Sequence, residues 1–396
     1  MRQYPPTLQP DSLMEFMRVL CHKIGARPST SPQEWEAAVY VTQILRQAGL
    51  SDIQEQKFDS PDSAGWSIIP ALAAGLLGSV LGGLGRWGKA MGGVLLLASA
   101  YLFRQRLLAQ SPFYRKWIAR GSSQNIIAKI PARNPARRTL YLVGHLDSQK
   151  QRFQFPTFHP AVTASQASLP LVFGALGGVG LLVNAARGQT TTPRWLRPLT
   201  AAYLWGIAGA LNDEKQPHVE GANDNATAVA ILLGAAQALQ KQPLAHTDVV
   251  LLFTGCEEVG CVGMEHYLSQ TCPSPDNTDW IDLELVGTGN LCYITRHGLT
   301  PFTSYTPHPE MVALAERTAR ERPELGVVGQ EMLIIEEVAN LRRGGYKAIC
   351  LAGYDEKGRL PNWHRLSDRL ENIEPDTLSR AACYVWELMQ TIDSEA

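Results

Sequence analysis

The sequence predicts an α/β protein: a three-layer α/β/α sandwich with a mostly parallel mixed sheet, plus two inserted apolar helical hairpins. Three observations predict it. Short apolar runs without helical period alternate with amphipathic runs along most of the chain, the pattern of strands in a sheet covered by helices. Candidate ligand residues stand where such runs give way to loops, the usual place of a site in an open α/β sheet. Two long uncharged stretches interrupt the alternation.

In chain order, helices are expected at 11–24 and 32–48, the second stopped by Gly49. Extended segments follow at 53–58, 125–130 and 139–144. Beyond the second apolar stretch come a helix at 225–239, a buried strand at 248–254 and a helix at 263–270. Strands at 280–286, 291–295 and 347–351 and helices at 308–320 and 375–392 complete the set.

The 396 residues carry 36 Lys+Arg against 37 Asp+Glu, so no global charge argues for nucleic acid. Charged residues are 18% of the chain, below the about 25% usual in soluble proteins. The 7 cysteines are odd in number and lack zinc-finger spacing, which points to buried thiols rather than a disulfide scaffold. Cys256 and Cys261 flank a glutamate pair and read as core residues, not ligands. The start, Met1-Arg2-Gln3-Tyr4, has no basic stretch leading into an apolar run, so no cleaved secretory signal is expected.

The apolar excess lies in two hairpins. Residues 66–85 and 90–103 flank a turn with Arg86 and Lys89; residues 161–186 and 198–212 flank a turn with Arg187, Arg194 and Arg197. A membrane helix needs about 20 residues: the first arms reach this, and Arg104, Arg106 and Arg197 are expected to extend the shorter second arms by snorkelling. Gly-rich arms suit close packing in lipid better than exposure to water. Membrane association through 63–104 and 161–212 is therefore expected, with a soluble helical cap as the alternative. The Gly-rich run 174–180 resembles a dinucleotide fingerprint but lacks the acidic partner, so it reads as a packing surface. The catalytic domain is expected over 1–62, 105–160 and 213–396.

If His145 and Asp224 share one site, the segment between them crosses a bilayer an even number of times. Lys57, Arg104, Arg106, Arg115, Lys116, Arg120, Lys150, Arg152 and Lys215 lie on the catalytic side, against Arg86, Lys89, Arg187, Arg194 and Arg197 in the far turns. This bias places the catalytic domain on the cytoplasmic side, with a soluble cytoplasmic protein as the alternative.

The chemistry sits in five places. His145 ends an apolar strand and Asp147 projects the same way two residues on, placed to orient a metal-bound imidazole. Asp224, in Gly221-Ala222-Asn223-Asp224-Asn225-Ala226, is one acid among small residues at a helix start, where a carboxylate is stabilised and can bridge two cations. Glu257 and Glu258 follow an apolar strand, and adjacent carboxylates repel unless a cation or shared proton compensates. One can ligate while the other acts as general base. Asp282 and Glu284 share a strand face, and either can reach a metal; His364 supplies a second imidazole.

At these residues the chain resembles the M28 family of zinc aminopeptidases, over roughly 10–60 and 121–395 without the second hairpin. The resemblance implies two Zn2+ ions: His145 and Glu284 on one, Glu258 and His364 on the other, Asp224 between them. It makes Glu257 the general base and Asp147 the partner of His145. The implied activity is a metal-dependent exopeptidase, an aminopeptidase hydrolysing N-terminal peptide bonds with a two-zinc-activated water, on peptides with a free N-terminus. Two departures stand out: the family has Asp where Glu284 lies, in a segment normally reading Asn-Leu-Asp, and both hairpins are additions. The alternatives are another amidohydrolase, a one-zinc glutaminyl cyclase-like acyl transferase, or an inactive membrane receptor or scaffold on the same fold.

Overall fold

The computed structural model describes residues 3–152 and 160–396. Residues 153–159 of the expected catalytic segment 105–160 lie outside these, as do Met1 and Arg2 of the N-terminal reading. In order the elements are α1 (Pro10–Arg18), α2 (Pro32–Gln47), β1 (Ile53–Ser60), α3 (Gly65–Leu81), α4 (Gly85–Arg106), α5 (Arg115–Ile118), β2 (Gly121–Ile130) and β3 (Arg138–His145). Then come α6 (Pro160–Ala186), α7 (Leu196–Glu214), α8 (Thr227–Lys241), β4 (Thr247–Thr254), α9 (Val262–Thr271), β5 (Thr278–Glu284) and β6 (Asn290–Arg296). The chain closes with α10 (Pro309–Glu321), β7 (Val327–Glu331), α11 (Val338–Arg343), β8 (Lys347–Tyr354) and α12 (Pro375–Ser394).

One sheet holds all eight strands in the order β1-β2-β4-β3-β5-β8-β6-β7. Its centre, β4-β3-β5-β8, is parallel. Antiparallel pairings join β2 to β4, β1 to β2 and β6 to β8. Alternation along β3 shows why both faces must be covered. Leu140 and Leu142 enter one core with Ile231 of α8 and Leu388 of α12, whereas Tyr141 and Val143 enter the other with Met264 of α9 and Leu341 of α11. The sandwich and mixed sheet therefore match the expected fold. β7 escaped sequence reading because Val327-Val328-Gly329-Gln330-Glu331 is a mostly exposed edge strand without an apolar run.

α2 shows sequence chemistry placing an element. Ser31 Oγ accepts the Glu34 N–H at 3.2 Å, Glu34 Oε2 accepts the Thr30 N–H at 2.7 Å, and Pro32 occupies the first turn. The same Glu34 is buried and turns its other oxygen toward the catalytic loops.

The apolar stretches form a four-helix bundle that differs from the expectation in two ways. α3 stops at Leu81 after 17 residues, whereas α4 runs for 22 through Arg86, Lys89, Arg104 and Arg106. The second arm of the first hairpin is thus the longer one, because Arg86 Nε caps Ala185 O at 3.0 Å and buried Lys89 caps Thr190 O at 3.1 Å, which lets helix continue through the charges. Second, α6 packs on α4 and α7 on α3, and the arms of the second hairpin touch each other little. Glycines allow this approach: a Cβ on Gly92 would stand 2.4 Å from Gly78 O, and one on Gly93 would stand 2.8 Å from Gly178 O. Among the described residues, one helical segment, Ala167–Ala186 of α6, is by length and composition apolar enough to cross a membrane.

Candidate active site

The ligand-type residues converge at the C-terminal ends of the parallel strands. His145 ends β3, Glu257 and Glu258 follow β4, Glu284 ends β5, and His364 lies in the loop after β8. Asp224 lies in a single wide turn, Ala222–Ala226, whose peptide bond to Asn225 is cis. That turn leaves Gly221, which has a φ of 68° and whose Cβ would stand 2.5 Å from the Ser148 side chain, so no larger residue fits.

Asp224 divides its two oxygens. Oδ1 lies 3.1 Å from His145 Nε2 and Oδ2 lies 3.4 Å from His364 Nε2. Glu284 Oε2 approaches His145 Nε2 at 3.5 Å, and Glu258 Oε2 approaches His364 Nε2 at 3.1 Å. Asp224 is shared by two donor groups, His145-Asp224-Glu284 and Asp224-Glu258-His364, each with ligand atoms within 4.8 Å of one another, and a third group, His145-Glu257-Glu258, includes both glutamates of the pair. Asp282 goes elsewhere: it groups with Glu336 and Cys350 rather than with His145.

The electrostatics of this cluster suit cations. Glu258 Oε1 and Glu284 Oε1 are buried without a hydrogen-bond partner. Burial, reinforced by Asp224 beside each, holds the carboxyls of Glu258 and Glu284 well above their usual range. Burial lowers His364 to about 3, leaving its ring neutral and free to ligate. At His145 burial opposes the charged ring, but Glu284, Asp147 and Asp224 outweigh it and raise the pKa. Crowded carboxylates around two imidazoles, with orphaned oxygens turned inward, are a donor set that a pair of divalent ions fits.

A supporting shell orients these groups. His145 Nδ1 donates to Asp147 O at 3.0 Å and lies 3.4 Å from Asp147 Oδ1, which leaves Nε2 for the site. Asp147 also accepts the N–H of Glu257 at 3.0 Å, the N–H of Glu258 at 3.2 Å and the Ser29 hydroxyl at 2.7 Å. Glu34 Oε1 takes the Cys256 N–H at 2.9 Å, so three successive N–H groups of one loop rest on two buried acids from distant parts of the chain. Gln149 Nε2 donates to Glu258 Oε2 at 3.0 Å, Asp368 takes the N–H groups of Asn223 at 2.6 Å and Asp224 at 3.2 Å, and Asn225 Nδ2 reaches Glu284 Oε2 at 3.2 Å. Buried Arg27 spans Leu146 O, Glu220 O and Gly221 O, tying the His145 loop to the Asp224 turn.

Glu257 is half-buried, with Oε1 taking the Cys261 thiol at 3.0 Å. Burial, then Glu258 and Asp147, raise its carboxyl well above the usual range against the opposing pull of His145. Sequence reading missed Ser29, Glu34, Gln149, Asp368 and Arg27, because single polar residues in loops or a first helical turn carry no period and their partners lie far along the chain. It also misplaced Arg106, which ends α4 at Glu258 O, 3.4 Å away, rather than at a membrane interface.

Comparison with known proteins sets this site beside those of peptidases. Residues 208–389 match the sequence model of Peptidase family M28. The fold is also that of a zinc aminopeptidase from Bacillus subtilis, at 14% identity, TM-score 0.58, covering 98% of this chain and 95% of that one. A leucine aminopeptidase precursor from Bacteroides thetaiotaomicron shares it at 14% identity and TM-score 0.56, over 98% of each chain. So does a glutaminyl cyclase of the same organism, solved with N-acetylhistamine, at 14% identity and TM-score 0.57, over 98% of this chain and 99% of that one. No curated protein sequence matches the chain.

Proposed function

We propose that the protein is a two-metal exopeptidase that hydrolyses the N-terminal bond of peptides with a free amino terminus. The observation that carries this reading is Asp224, whose two carboxylate oxygens face two separate histidine-carboxylate pairs. His145 and Glu284 would hold one zinc ion, Glu258 and His364 the other, with Asp224 between. Bound there, the ions supply Lewis-acid polarisation of a carbonyl and a water of lowered pKa. The rest falls to the chain. Cys261 occupies Glu257 Oε1, leaving Oε2 to take the proton of the attacking water and return it to the leaving amine. Asp147 fixes the ring of His145 and, through two backbone bonds, the position of Glu257.

Two complete donor groups favour two-metal hydrolysis over the one-metal acyl transfer of a cyclase. The test is hydrolysis of aminoacyl-nitroanilides, its loss on chelation and recovery with zinc, alongside cyclisation of an N-terminal glutaminyl peptide. Cyclisation without hydrolysis, or protein that takes up no metal, overturns the reading.

For its setting, the bundle supports membrane embedding with the catalytic domain on the cytoplasmic side. Leu77, Trp87, Met91, Leu176, Val179 and Trp205 all stand exposed around it, an apolar belt too extensive for water. Retention in the membrane fraction after a carbonate wash is expected, and full release would make the bundle a soluble cap.

A further inference from the structure

One turn of the pleat before Glu284, the same sheet buries a second set of donor groups that the proposed reaction does not use. Asp282 on β5 and Cys350 on β8 are register partners, and Glu336, from the loop before α11, meets them there. The three ligand atoms lie within 4.8 Å of one another. Asp282 and Cys350 are 0% exposed and Glu336 is 1% exposed, and Cys350 shares its core with Trp280, Ile334, Val338 and Leu341. Bulk water therefore does not neutralise this cluster.

The three groups are satisfied unequally. Glu336 is fully engaged: Oε1 accepts the Tyr305 hydroxyl at 2.8 Å and lies 2.7 Å from His297 Nδ1, and Oε2 accepts the Val338 N–H at 2.6 Å. Asp282 has no hydrogen-bond partner on either oxygen. The Cys350 thiol faces a carbonyl of its own strand, Leu351 O, at 3.5 Å. A buried carboxyl turned toward a second carboxylate needs a proton or a cation between them. One shared proton occupies a single oxygen of Asp282 and leaves the other oxygen and the sulfur as they are. A cation engages all of them at once. Glu284 and Glu337 press further negative charge on Asp282, and a divalent ion offsets that excess.

We propose that Asp282, Glu336 and Cys350 hold a further divalent ion of the zinc type, separate from the pair at Asp224, and that this ion serves structure rather than the reaction. A thiolate beside carboxylates suits zinc, whereas magnesium and calcium take oxygen donors. On binding, the Cys350 thiol and the Asp282 carboxyl each release a proton to solvent, and the sulfur and oxygens take the ion in its place. Both oxygens of Asp282, one of Glu336 and the sulfur supply the four positions usual in a structural zinc site. The ion ties β5 and β8 to the loop before α11, beside the strand end that carries Glu284. None of this depends on the hydrolase reading.

The test uses full-length protein, stripped of metal and loaded with Co2+. The donors around Asp224 offer only nitrogen and oxygen, so a thiolate-to-cobalt charge-transfer band in the near ultraviolet reports a cysteine ligand. That band is expected in the wild-type protein and is expected to vanish in Cys350→Ala, while the visible bands of the other bound cobalt remain. With zinc, the wild type is expected to hold one ion more than Asp282→Asn. Absence of the band from the wild type, or its persistence in Cys350→Ala, overturns the inference. So does an Asp282→Asn variant with undiminished metal content, because its amide then stands in for a proton shared with Glu336. A cysteine-dependent band without metal-dependent hydrolysis of any aminoacyl substrate would instead uphold this site and sink the hydrolase reading.

Discussion

Asp147 Oδ1 accepts the backbone N–H of Glu257 at 3.0 Å, so the carboxylate that orients a histidine ligand also positions the proposed base. Asp147→Asn keeps the volume but removes the charge and turns an NH2 group toward N–H donors. A fall of about 10- to 100-fold in kcat or zinc affinity is expected, read from steady-state kinetics and metal content. An unchanged kcat would show that the loop holds itself.

In the proposed mechanism Glu257 takes the proton of the water and holds no ion. Glu257→Gln should lower kcat by about 10²- to 10⁴-fold with the zinc content of the wild type. Loss of metal in this variant would reassign the residue as a ligand.

Because Asp224 faces both histidines, its removal is not equivalent to theirs. Asp224→Ala is expected to release both zincs together, whereas His145→Ala and His364→Ala each release one. Metal stoichiometry on the three purified variants decides it.

Stripping the metals makes stability fall with rising pH. The buried carboxyls of Glu258, Glu284 and Asp282 lie above their ordinary values, chiefly through burial, and burial likewise brings Glu337 and Glu34 to about 8. A folded-state pKa above the unfolded one means that the folded chain binds more protons. The associated stability is full below the ordinary carboxyl range and is lost as pH climbs toward about 8. The drop in unfolding temperature on chelation should therefore be larger at about pH 8 than at about pH 5. The reverse order in calorimetry would mean that these acids are compensated by something other than metal.

Packing in the bundle leaves no room at Gly92. Gly92→Leu pushes side-chain atoms into Gly78 O and is expected to destabilise the bundle by about 1–3 kcal/mol. Thermal unfolding of the detergent-solubilised protein reads it, and an unchanged midpoint would mean that α3 and α4 do not pack this closely.

Much of this was legible in the chain. The strands that place His145 and Glu284 are apolar runs ending in a polar residue, and the small residues around Asp224 marked it as a candidate ligand at a helix start. The choice between Asp282 and Glu284 was not legible, since both share a strand face; Glu336 and Cys350, from other elements, draw Asp282 away. Asp368 and Ser29 were invisible for a similar reason: a lone acid or hydroxyl in a loop declares its partner only when the sheet brings together residues 145 or 118 positions apart. The bundle's pairing was hidden too, because uniformly apolar arms have no polar stripe to show which neighbour each faces.

α4 is one uninterrupted rod of 22 residues, about 33 Å long. Arg86 near its start is fastened to Ala185 O in the last turn of α6 and Arg106 at its end to Glu258 O. A rod tied at both ends joins the far end of the bundle to the loop that carries Glu257, so the two are mechanically one piece.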